Sequence, residues 1–216
     1  MKTAELVGRL RSAFGILAYG SLLFDPGVEI EPLIVERIET LTPFPVEYGR
    51  LSATRGGAPT LVPHPRGSPV KAHVLVLAER KETGVPLRLK KVYDLLWRRE
   101  TRREGPGSEY PGGRGENAVC IRDLTEFCGL AHVLYTDFNP EGKIAEPDPT
   151  SLARAAIESV RRAAPGKDGL RYLIDVRKAG VKTRLTPAYV DEILSRTGAR
   201  ELEEACERLK LSRERD

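Results

Sequence analysis

The chain has 216 residues, enough for one hydrophobic core with an appendage and too few to require two full domains. Hydrophobic residues make up 40% and charged residues 31%, with both signs interspersed, which is the composition of a folded globular protein and not of a disordered one. The net charge is only +4, and basic runs such as "WRRETRRE" carry acids among their bases, so they read as solvated helix faces and not as a nucleic-acid stripe.

In chain order, the apolar spacing from Ala4 to Phe14 predicts a short N-terminal helix leading into a strand over 15–18. That strand belongs to the run "FGILAYGSLLFDPG", which is interrupted at Tyr19-Gly20-Ser21 and stops at Asp25-Pro26-Gly27. Its apolar length falls well short of the roughly 20 residues a bilayer needs, and Glu5, Arg9 and Arg11 before it do not suit a signal peptide, so a cytoplasmic protein without a membrane association is expected. Further strands are predicted over 35–41, 46–53, 60–62, 70–77, 118–121 and 130–136. Their succession without alternating helices predicts a mainly antiparallel, curled sheet.

One long helix interrupts the strands. Thr83 is its candidate cap, Pro86 stands near its start, and its pattern runs through "LRLKKVYDLLWRRETRRE". The stretch "EGPGSEYPGGRGEN" after it is a Gly and Pro loop, either a lid over a site or a plain connector. Residues 139–150 read as a linker. Helices follow over 151–163, 170–179, 187–196 and 200–209, without an internal repeat.

Several kinds of chemistry find no support. Cys120, Cys128 and Cys206 are odd in number and lack CxxC spacing, as expected of reduced packing residues, and His64, His73 and His132 stand far apart, so no metal site is predicted. Ser21 lacks the second glycine of a GxSxG elbow and has no evident histidine partner. Gly112, Gly113 and Gly115 match neither a dinucleotide nor a phosphate loop and are read as turn glycines.

Two places remain. Gly20 lets the backbone turn at the end of the first strand, and the amides and hydroxyl of Tyr19, Ser21 and Leu22 can form an anion-binding concavity; an ordinary turn is the other reading. Glu100 lies at i+11 from Leu89 on the stripe of Val92, Tyr93 and Leu96, which points its carboxylate toward the core, whereas Arg98, Arg99, Arg102 and Arg103 are expected in solvent. An inward carboxylate serves as a base, or pairs with Arg99 or Arg103, or sits where the helix has left the core.

As an ordered set, "LAYGSLL", then "GGAPTLVPHPRGSPVKAHVLVL", then a helix ending in "LLWRRE" resembles the gamma-glutamylcyclotransferase-like family, which includes the glutathione-degrading ChaC enzymes. The likeness runs from about Phe14 to Phe138. It implies an α+β fold with a small mixed, mainly antiparallel β-barrel over residues 1–147, followed by a helical extension over 148–216 outside the minimal fold. It further implies that Tyr19, Gly20, Ser21 and Leu22 hold a gamma-glutamyl group, that Glu100 is the catalytic acid and base, and that no cofactor takes part. Family members often carry a tyrosine a few residues beyond the glutamate; here the nearest, and so the candidate for that substrate-binding place, is Tyr110, ten residues on and inside the Gly-Pro loop. The helical extension would shape the pocket, form a homo-oligomer or serve a role of its own. Two functions are therefore expected to compete: a cyclotransferase releasing 5-oxoproline, and a non-catalytic binding or interaction module on the same fold.

Overall fold

The computed structural model describes residues 14–78, 87–103, 107–114 and 118–213. The expected N-terminal helix, the Thr83 cap, Pro86 and Gly115 lie outside the described residues. The fold is mixed α+β, with a mainly antiparallel sheet and helices, and packs as two compact units. One unit combines the described part of residues 1–41 with that of 72–139; the other combines residues 42–71 with 140–213.

The first unit is built on a five-stranded sheet in the order β2-β5-β1-β7-β6. Its strands are β1 (Phe14–Ala18), β2 (Ile34–Leu41), β5 (Lys71–Leu77), β6 (Val119–Phe127) and β7 (Leu130–Phe138). The short apolar run of β1 fits a central strand covered on both faces: Ile16, Leu17 and Ala18 are fully buried. It pairs antiparallel with β5, Ile16 opposite Leu75, and parallel with β7, Ile16 opposite Leu134. Gly15 is required there, because a Cβ would lie 2.7 Å from the Val74 side chain and 2.9 Å from that of Leu130. β6 and β7 form an antiparallel pair, and β6 extends six residues beyond the expected end at 121.

Helix α1 (Leu89–Thr101) belongs to this unit. Its buried residues are Val92 and then Asp94, Leu95, Leu96, Trp97 and Arg98 in succession, so more than one face is covered. It ends where Arg102 takes a left-handed conformation (φ 55°) and the Arg103 N–H closes back onto the Arg98 carbonyl at 3.2 Å.

The second unit holds the antiparallel pair β3 (Val46–Ser52) and β4 (Ala58–Pro63), with α2 (Pro149–Arg162), α3 (Gly169–Lys178), α4 (Thr186–Thr197) and α5 (Leu202–Arg213). The four helices fall close to their expected places. β3 is buried almost throughout, and its covering partners are helical: the Leu185 N–H, just before α4, donates to Glu47, and the Leu61 N–H of β4 donates to the Tyr172 hydroxyl of α3. The supposed linker is fastened down, since the Ile144 N–H donates to the Gly49 carbonyl at 2.7 Å and Lys143 Nζ to the Pro63 carbonyl at 2.8 Å.

One expectation therefore changes. No closed barrel is found among the described residues: five strands form an open sheet, and β3 and β4 form a separate two-stranded sheet, with an isolated bridge from Val46 to Ser68. The β3-β4 pair, buried on both faces, packs in the same compact unit as the C-terminal helices. Among the described residues no helix is long and apolar enough to cross a membrane.

Candidate active site

The end of β1 and the last turn of α1 are both in the first unit, and one side chain ties them together. After Ala18 the chain bends at Tyr19 and Gly20, and Ser21–Leu23 form a 3₁₀ turn in which the Leu23 N–H donates to the Gly20 carbonyl at 3.0 Å. As the first residues of that turn, Ser21 and Leu22 have N–H groups without an acceptor inside it. The Tyr19 hydroxyl donates to the Thr136 carbonyl on β7 at 2.6 Å, and Leu22 is buried, so both side chains fix the turn while Ser21 remains half-buried.

Arg99 crosses from α1 to this turn. Its guanidinium donates through Nη2 to the Ser21 hydroxyl at 3.1 Å, through Nε to the Asp25 carbonyl at 2.9 Å, and through Nη1 to the Glu100 carboxylate at 3.3 Å. The Asp25 carboxylate stands 3.6 Å from Nη2. The Asp25-Pro26-Gly27 stop of the opening run thus wraps the arginine. Gly27 takes φ 89°, a conformation favouring glycine, and any Cβ there would come within 3.3 Å of the arginine stem.

Glu100 is where the helical spacing put it, mostly out of water, with its side chain 19% exposed. Its pairing with Arg99 is one of the alternatives open from the sequence; Arg103 instead lies over the Trp97 ring at 5.4 Å. A carboxylate in the last turn of a helix faces the negative end of the helix dipole, and the neighbouring guanidinium offsets that cost.

The expectation that Arg98 and Arg99 lie in solvent is wrong. Arg98 is buried and holds the Glu29 carboxylate in a two-pronged ion pair, Nε to Oε1 at 2.9 Å and Nη2 to Oε2 at 2.6 Å. Arg99 has a side chain only 10% exposed. Each cation is buried because it is paired and hydrogen-bonded, which charge counting along a helix does not reveal. A signal was present for Arg99, which stands at i+7 from Val92 and i+3 from Leu96.

Tyr110 is anchored nearer the start of α1. Its N–H donates to Asp94 at 2.8 Å, its hydroxyl accepts from the Ile121 N–H at 3.0 Å, and its ring stacks on Tyr93 at 5.7 Å. Tyr93 lies two turns, about 10 Å along the axis, from Glu100. The histidines are dispersed: His64 bonds the Ile144 carbonyl at 2.9 Å, His132 pairs with Asp123 at 2.7 Å, and His73 stands 3.9 Å from Glu39.

A groove of about 340 Å³ in the second unit is lined in part by Leu51, Asp148, Arg154 and Glu158. Its carboxylates are committed elsewhere, since Asp148 caps α2 by accepting from the Ser151 N–H at 2.9 Å and Glu158 pairs with Arg162 at 3.2 Å. The Arg99 cluster is the better candidate for chemistry.

No family profile matches the chain. No curated protein sequence matches it either. A solved structure of a gamma-glutamyl cyclotransferase specific to glutathione, from yeast, is similar to it with a TM-score of 0.44 and 11% identity, covering 94% of this chain and 99% of that one. This is a loose likeness, from which no residue role is taken.

Proposed function

We propose that the protein is a gamma-glutamylcyclotransferase that closes a gamma-glutamyl amine, amino acid or peptide to 5-oxoproline and releases the amine. The observation that carries this reading is the Arg99 guanidinium shared between Ser21 and Glu100, which joins the proposed substrate turn to the proposed acid and base.

The substrate brings its own nucleophile, so the protein has to fold it and carry protons from the α-ammonium to the leaving amine. Glu100 takes a proton from the substrate α-ammonium. The freed amine attacks the γ-carbonyl carbon, a C–N bond forms within the five-membered ring, and the original amide C–N bond breaks. Glu100 returns the proton to the departing nitrogen, and the second proton left on the ring nitrogen passes by the same carboxylate to the released amine, which leaves as an ammonium, so Glu100 acts as base and as acid. The N–H groups of Ser21 and Leu22 and the Ser21 hydroxyl receive the oxygen that gains negative charge or the substrate α-carboxylate. Arg99 holds the hydroxyl and the carboxylate at fixed places and adds positive charge beside an anionic substrate. Tyr19 and Leu22 set the turn, and Tyr110 is assigned to shaping the loop beside α1.

The test is direct. Purified protein incubated with gamma-glutamyl dipeptides and with glutathione should form 5-oxoproline, and Glu100→Gln should remove the activity while leaving the fold intact. No 5-oxoproline from any of these substrates, or unchanged turnover in Glu100→Gln, sinks the assignment.

The pairing of Glu100 with Arg99 supports a second reading, in which the carboxylate is structural and the turn only binds a small anion. That reading gives saturable binding of a gamma-glutamyl compound without turnover.

A further inference from the structure

We propose that β2 is a dimerisation edge, at which a second copy of this chain pairs antiparallel about a two-fold axis through Ile38. The inference is independent of the catalytic reading. Among the described residues β2 is a terminal strand of the five-stranded sheet, so one of its sides has no strand beside it. Its eight residues, "IVERIETL", contain neither proline nor lysine, and two of the charges that would otherwise guard such an edge, Arg37 and Glu39, are of opposite sign.

The side chains alternate with period two, which puts Val35, Arg37, Glu39 and Leu41 on one face of the strand. All four are exposed, Val35 at 64% and Leu41 at 61%. Exposed apolar groups therefore stand at both ends of the stripe, and opposite charges stand between them.

This order is complementary to itself. A two-fold axis at Ile38 sets Val35 of each copy opposite Leu41 of the other, and Arg37 opposite Glu39, all on the same face. Shifting the register by one residue removes every one of these pairings, so the pattern selects one alignment. Arg37 already donates to Glu31 at 2.9 and 3.0 Å, but a guanidinium has five donors and this side chain remains a third exposed. Glu39 lies 3.9 Å from His73 and keeps a side chain 67% exposed, within reach of a partner that adds to the edge. The other edge, β6, lacks these features: none of the exposed large apolar side chains among the described residues falls on it, and Glu126 breaks it with φ 55°.

The experiment is sedimentation equilibrium on the full chain and on Arg37→Glu, Glu39→Arg and the double variant, each up to about 0.1 mM, a range that detects any tighter dissociation constant. The wild type should be a dimer. Each single variant sets two like-charge pairs across the axis and should weaken association about tenfold. The double variant restores opposite charges, and a one-to-one mixture of the two single variants forms a heterodimer with matched pairs; both should return to within about threefold of wild type. Their recovery separates loss of the interface from loss of the fold. A wild-type monomer throughout this range, single variants that dimerise like wild type, or a mixture that stays as weak as its components overturns the proposal.

Discussion

The two units each take a glutamate out of water, and they satisfy it in different ways. Glu47, on β3, is fully buried, and its carboxylate accepts from two backbone N–H groups, those of Tyr48 at 3.0 Å and Leu185 at 3.1 Å. Around it Tyr48 and Tyr189 meet edge to face at 5.0 Å, and burial pushes both phenols well above their ordinary range, so they stay neutral. Glu100 keeps 19% of its side chain exposed and is held at 3.3 Å by an arginine that also serves Ser21 and Asp25. A carboxylate filled by the backbone is a packing element. One held from a single side retains the acceptor capacity that proton transfer needs.

The contrast can be broken most decisively at Glu100. Replacement by glutamine keeps the shape and the acceptor for Arg99, so 5-oxoproline formation should fall about a thousandfold while chemical unfolding shifts by less than about 0.5 kcal/mol. A variant that unfolds and stays active would reverse the roles assigned to the two glutamates. Glu47→Ala should do the opposite: it leaves two buried N–H groups without their acceptor and should cost about 3 kcal/mol in urea unfolding, with turnover per folded molecule unchanged. Ser21→Ala sharpens the comparison from the substrate side, since losing one donor should lower kcat/KM about tenfold, with little change in stability.

The smallest effect is expected at Asp148, the cap of α2. The Ser151 backbone N–H, with smaller contributions from the Ser151 side chain and others, holds this carboxyl below its ordinary value of 3.8. A lowered native value means that its stabilisation is complete above 3.8 and is lost as the pH falls through the native value. Asp148→Ala should therefore cost about 1 kcal/mol near neutral pH, and the gap to wild type should close in acid.

Much of the fold was legible because period and punctuation survive in any environment. The central strand β1, the order of the remaining strands and the four C-terminal helices follow from apolar spacing and from Gly and Pro at their ends. The inward direction of Glu100 followed from counting at 3.6 residues per turn. Charge alone puts Arg98 and Arg99 in solvent, whereas the partners that bury them, Glu29, Ser21 and Asp25, lie about 70 or more residues away in the chain. Residues 139–150 read as a linker because their composition is that of a loop; only the meeting with β3 and β4 turns Lys143 and Ile144 into contacts.

The α+β class, the break after Ala18 and the inward Glu100 can be read from the chain alone, because each depends on neighbours a few residues apart. The open sheet, the union of the β3-β4 pair with the C-terminal helices and the link from Ser21 through Arg99 to Glu100 arise only when the chain folds. Those outcomes depend on which distant groups meet to hydrogen-bond and bury one another, and no local spacing records them.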